Sequence, residues 1–116
     1  MSVAGSRELE FITFTLRNNL RILQLGKYIY DELMNYIGEV CINIEELEIN
    51  SEKLSDKGLI TVFERWKKLK RIDLAACPRF QGSALYYAQY FNTKQLQIFV
   101  VSFKGEYLME KLKEKL

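Results

Sequence analysis

The chain has 116 residues, of which 48% are hydrophobic and 28% charged, with a net charge of +2. These values fit one globular domain and give no electrostatic footprint for nucleic acid. It contains no histidine, which removes Ser-His-Asp and Cys-His nucleophilic sites and His-ligated zinc.

The two cysteines, Cys41 and Cys77, are 36 positions apart, which allows neither a CxxC motif nor a four-thiolate site. No P-loop or G-x-G-x-x-G pattern is present, so neither a cofactor nor a metal is expected. An enzyme would have to work through carboxylates, lysines or tyrosines, and the reading is of a non-catalytic chain. The start "MSVAGSRELE" has no apolar core of a secretory signal. Apolar runs such as "IFVVSF" (98–103) are far shorter than a membrane span. The expected setting is intracellular, cytoplasmic or nuclear, with a mitochondrial one left open.

In chain order, residues about 5–17 have the pattern of a leading helix, with Leu9 placed 11 residues before Leu20. "LRILQL" from Leu20 then begins a series. The pattern apolar-x-x-apolar-x-apolar recurs in "IEELEI" from Ile44, "LKRIDL" from Leu69 and "LQIFVV" from Leu96. The starts are separated by 24, 25 and 27 residues, and a period of this size is the mark of a repeat. Helical patterns lie between the matches. Leu33, Tyr36, Ile37 and Val40 form one apolar face, and Leu59, Val62, Phe63 and Trp66 form another at i, i+3, i+4, i+7. Ser55 stands where an N-cap is expected. Leu85, Ala88 and the tyrosines near them supply a third face. Leu108, Leu112 and Leu116 mark a terminal helix at about 106–116.

"CINIEELEI", with Cys41 at its head, "LKRIDLAAC", with Cys77 at its end, and "KLSDKGL" at 53–59 together resemble leucine-rich repeats. The resemblance is to the cysteine-containing type of F-box/leucine-rich-repeat proteins, which is ribonuclease-inhibitor-like. Arg17, Trp66 and Thr93 stand where Cys41 would recur; Tyr28, Glu52 and Lys104 stand where Cys77 would. The resemblance covers about residues 5–116 and implies a short α/β solenoid, with parallel strands on a concave face and helices on a convex one. It further implies a protein-interaction module, first as the substrate-recognition part of an SCF-type ubiquitin ligase receptor whose F-box is absent from this chain. The second implied setting is a structural or assembly component of a larger complex, similar to the mitochondrial ATP synthase subunit s family.

Strand alternation assigns side chains to faces. With the leucines inward, Ile22, Gln24, Glu46, Glu48, Asn50, Arg71, Asp73, Ile98 and Val100 fall on the concave surface as partner-binding candidates. Parallel register sets Glu46 beside Arg71 and Glu48 beside Asp73, the second pair being an acidic spot for a partner's Arg or Lys or simply two solvated groups. The uncharged strand "IFVVSF" predicts self-association, a bound partner or a longer natural array. Most tyrosines read as packing residues. The basic "RWKKLKR" (65–71) reads as a solvated turn more readily than as a phosphate contact. Cys41 is expected to be buried, reduced and not paired with Cys77.

Overall fold

The computed structural model describes residues 2–3, 6–81, 83 and 98–101, with the backbone alone described at 2–3, 6 and 98–101. Strand β1 (Ser2–Val3) leads into helix α1 (Ser6–Thr15), β2 (Ile22–Leu25) and helix α2 (Asp31–Val40). Then come β3 (Glu46–Ile49), a 3-10 turn (Asp56–Leu59), helix α3 (Ile60–Arg65), β4 (Arg71–Leu74) and β5 (Ile98–Val101). The strands are parallel and lie side by side in chain order.

Strands β2, β3 and β4 are four residues each and alternate in burial, so one row of side chains is removed from water. Leu23, Leu25, Leu47, Ile49, Ile72 and Leu74 are buried and meet Leu33, Met34, Ile37, Val62 and Phe63 of the helices in one core. Burying a side chain of this size is worth about 1.5–3 kcal/mol. The core therefore fixes which sheet face the helices cover.

The fold departs from the leucine-rich-repeat solenoid expected from the sequence. The three strands with described side chains, β2 to β4, form an uncurled sheet beneath three helices, a compact single-unit α/β fold with no repeat solenoid. A repeat sheet curls when the helix layer is wider than the strand layer. Gly38 works against this in α2. A Cβ added there would lie 3.2 Å from Thr61 Cγ2 and 3.3 Å from the Val62 amide nitrogen, so α3 sits close against the α2 backbone. The α3 helix is also only six residues long, led in by the 3-10 turn.

Other local expectations shift. Ser55 makes no cap with its side chain; its hydroxyl and its amide both donate to the Asp31 carboxylate, the amide at 2.8 Å. In α2 the buried residues are Leu33, Met34, Ile37 and Gly38, with Tyr36 and Val40 only packed against the core. The helices expected around Leu85 and over 106–116 lie outside the described residues.

The cysteines do packing work. Both are free and buried. Cys41 Sγ donates to the Thr13 carbonyl at 3.6 Å, and Cys77 Sγ donates to the Ile49 carbonyl at 3.3 Å. Trp66 stands where Cys41 would recur, and it does the same job. Its Nε1–H donates to the Gly38 carbonyl at 3.1 Å, reaching the preceding helix as Cys41 does.

Burial pushes the Cys41 thiol from 9.0 up to about 11, and burial first of all also raises Cys77. A folded-state pKa above the unfolded one gives a contribution that is whole below pH 9 and lost as the pH climbs through 11. The urea midpoint of the wild type is therefore expected to fall more between pH 9 and 11 than that of Cys41→Ala. Parallel pH dependences in the two proteins would remove Cys41 from the account.

Gly58 is a second tight point. A Cβ there would lie 2.6 Å from Leu54 Cδ1, 2.7 Å from Asp31 Oδ1 and 3.1 Å from the Asp31 Cα. The last atom is backbone and cannot swing aside. Gly58→Ala is expected to destabilise by about 1–3 kcal/mol, as overpacking does, read as a drop in the urea midpoint at unchanged slope.

Candidate functional site: the uncovered face of the sheet

The same alternation that buries one row of β2, β3 and β4 leaves the other row uncovered. In β2 the outward residues are Ile22, 50% exposed, and the exposed Gln24. β3 contributes the half-buried Glu46 and the exposed Glu48, with exposed Asn50 just beyond its end. β4 contributes Arg71 and Asp73, both half-buried. The register sets Ile22 against Glu46 and Gln24 against Glu48. Next come Glu46 against Arg71 and Glu48 against Asp73, the pairings expected from the alternation. Ile98 and Val100 continue the two rows in the β5 backbone, opposite Arg71 and Asp73; their side chains lie outside the described residues.

The charges on this face are not equivalent. Arg71 turns along its own strand to Asp73, with Nη2 to Oδ2 at 3.4 Å. The other Asp73 oxygen accepts the Ala75 amide at 3.0 Å. Asp73 is thus engaged twice, and the expected Glu48–Asp73 acidic spot is centred instead on β3. Among the described residues, Glu46 and Glu48 have no ion-pair partner. Glu45, which leads into β3, is held by Lys70 at 3.1 Å and Arg21 at 3.8 Å. The middle of the face therefore carries two carboxylates with no ion-pair partner among the described residues, beside one exposed isoleucine.

The concave partner surface is corrected along with the solenoid. An uncurled sheet has no concavity, so its outward residues form a flat face that a partner would approach broadside. The end strand expected to self-associate falls on 98–103, whose side chains lie outside the described residues.

A second feature gave no functional signal in the sequence. Past the carboxyl ends of the strands, Asp31, Ser55, Asp56, Lys57, Pro78, Arg79, Gln81 and Ser83 line an open pocket of about 590 Å³. This is the end of a parallel sheet where ligands commonly bind. Its carboxylates are already occupied. Asp31 accepts from Ser55, and Asp56 accepts the Gln81 amide at 2.6 Å and both the amide and the hydroxyl of Ser83. The 25-residue spacing of these two aspartates equals one period of the strand pattern, and it is the signal that marks them as ties between successive loops. No group of His, Cys, Asp or Glu able to hold a metal occurs among the described residues.

Comparison of the chain with protein-family models, with curated proteins and with solved structures finds no match. The ubiquitin-ligase receptor reading and the subunit s-like assembly reading both depended on the repeat solenoid. With an uncurled single-unit fold, neither has a specific feature to stand on. No helix among the described residues is long and apolar enough to cross a membrane.

Proposed function

We propose that the uncovered sheet face is the working surface of this chain, and that the chain acts by binding rather than by catalysis. The observation that supports this most is Glu46 and Glu48, without an ion-pair partner among the described residues, beside the half-exposed Ile22, on a face that none of the described helices covers. With Asp73 tied to Arg71, the charge left open on this face is that of Glu46 and Glu48 on one strand, where like charges sit close at a small cost. A ligand segment carrying Lys or Arg next to an apolar side chain offers the complementary charge and contact.

The absence of histidine leaves this face without the usual proton carrier near neutral pH. The buried free thiols of Cys41 and Cys77 fit a reducing compartment, cytoplasmic or nuclear.

The test is to pan a random peptide library on the folded chain. Enriched peptides are expected to carry Lys or Arg flanking an aliphatic residue, and to be lost on Glu46→Lys plus Glu48→Lys. Lys57→Glu, beyond the ends of the strands, should leave their binding unchanged. The double variant should stay within about 0.5 kcal/mol of wild-type stability, since outward substitutions touch no core contact. Enrichment without basic residues, or binding that survives the double variant, would defeat the proposal.

A further inference from the structure

The strands are all parallel, so the connections from each helix to the next strand gather at one end of the sheet. These connections, residues 16–21, 41–45 and 66–70, carry Arg17, Arg21, Lys67, Lys68 and Lys70 against one carboxylate, Glu45. With Glu39, Glu64 and Arg65 of the adjoining helix ends counted as well, this end keeps a net charge of +3, above the +2 of the whole chain. Residues 65–71 alone have the pattern of a solvated turn; the fold sets a second basic connection near them. Neighbouring strands lie about 5 Å apart. Arg17 and Arg21, ahead of β2, therefore stand on the order of 10 Å from the lysines ahead of β4.

Helix carboxyl ends attract cations, and Arg17 does that work by donating to the Phe14 carbonyl at 2.6 Å. The others are spent differently. Lys68 Nζ donates to Asn43 Oδ1 at 3.0 Å, and Asn43 Nδ2 donates to the Asn18 carbonyl at 2.9 Å. The three connections are thereby tied into one layer. Lys70 and Arg21 share Glu45, at 3.1 and 3.8 Å, so two cations stand on one carboxylate. Arg21, Lys67, Lys68 and Lys70 are all exposed.

Two aliphatic side chains share this end: Leu16 is 39% and Ile42 44% exposed. Cations set around exposed aliphatic groups suit an anionic bilayer, where the apolar groups enter the headgroup boundary and the cations meet the lipid charge. Single-stranded nucleic acid fits less well, because its bases stack on open aromatic rings. Phe14, in the last turn of α1, lies under the Arg17 guanidinium, 4.2 Å from its ring centroid.

We infer that this basic end of the sheet docks the chain on an anionic lipid surface. Arg21, Lys67, Lys68 and Lys70 meet the headgroups, and Leu16 and Ile42 enter the boundary between them. The strands then rise from the bilayer and the uncovered sheet face stays open, so the inference does not rest on the function proposed above.

The experiment is co-sedimentation of the full chain with phosphatidylcholine vesicles, with and without about a third phosphatidylserine. The chain is expected to bind the mixed vesicles, to ignore pure phosphatidylcholine, and to be released as salt is raised. Lys67→Ala plus Lys68→Ala should weaken binding on the order of tenfold or more, and Ile42→Ser should weaken it several-fold. Lys27→Ala plus Lys57→Ala removes the same charge at the opposite end of the strands and should leave binding unchanged. A urea midpoint near that of the wild type shows that each variant is folded. No binding to the mixed vesicles, or equal losses in the two double variants, would overturn the inference. So would binding to a single-stranded RNA that exceeds vesicle binding at the same salt.

Discussion

Trp66→Ala is expected to lower the unfolding free energy by about 3–5 kcal/mol, the range for truncating a buried aromatic to alanine. Trp66 is fully buried and heads the largest side chains of the core. It closes the turn between α3 and β4, and its indole N–H satisfies the Gly38 carbonyl at the tight α2–α3 contact. The substitution leaves a cavity and takes away that donor. A domain of this size has about 5–15 kcal/mol in all, so the variant should show a large fall in urea midpoint or no cooperative transition. Trp66→Phe separates the two effects: it keeps most of the packing and loses the hydrogen bond, for about 1–2 kcal/mol. Trp66 is the only tryptophan, so far-UV circular dichroism is the suitable readout. A Trp66→Ala protein within 1 kcal/mol of wild type would mean that α2 and α3 are not joined as described.

Leu47→Ala is expected to cost about 2–5 kcal/mol, while Glu48→Ala, one residue on, should change stability by no more than about 0.5 kcal/mol. Leu47 sits in β3 at the middle of the sheet, paired in register with Leu23 and Ile72, and no part of it reaches water. Glu48 points the other way and is exposed. Because side chains alternate strictly, a shift of one residue in register would exchange the two results. Equilibrium urea unfolding of the two variants measures the face assignment directly. Similar costs at both positions would refute it.

The strands could be read because their signal is local. Apolar residues at 44, 47 and 49, and again at 69, 72 and 74, dictate which side of a parallel strand is wet. The observed Glu46–Arg71 and Glu48–Asp73 register follows from that spacing. Burial of Cys41 was likewise legible, from its packing place at the head of the strand motif in "CINIEELEI".

Curvature was not legible, because the six-residue motif says nothing about the width of the helix layer. That width depends on Gly38 lying against Thr61 and Val62, a contact between residues more than twenty positions apart. Ser55 misled for a related reason. Its sequence context suits a cap, but Asp31, 24 residues earlier, is the stronger acceptor and takes both its amide and its hydroxyl. The charge balance on the uncovered face was only half readable. Spacing put Glu48 beside Asp73, yet only the fold brings Arg71 and the Ala75 amide onto Asp73.

The most direct test of the uncovered face as a binding surface is photo-crosslinking from single positions in cells that make the chain. A crosslinking amino acid at Gln24 or Glu48 reports on that face, and one at Tyr28 or Lys57 reports on surface beyond the ends of the strands. Adducts are expected from Gln24 and Glu48, mapping to a Lys- or Arg-bearing segment and disappearing when Glu46→Lys is added. Adducts only from Tyr28 and Lys57, or adducts from Gln24 and Glu48 indifferent to Glu46→Lys, would contradict it.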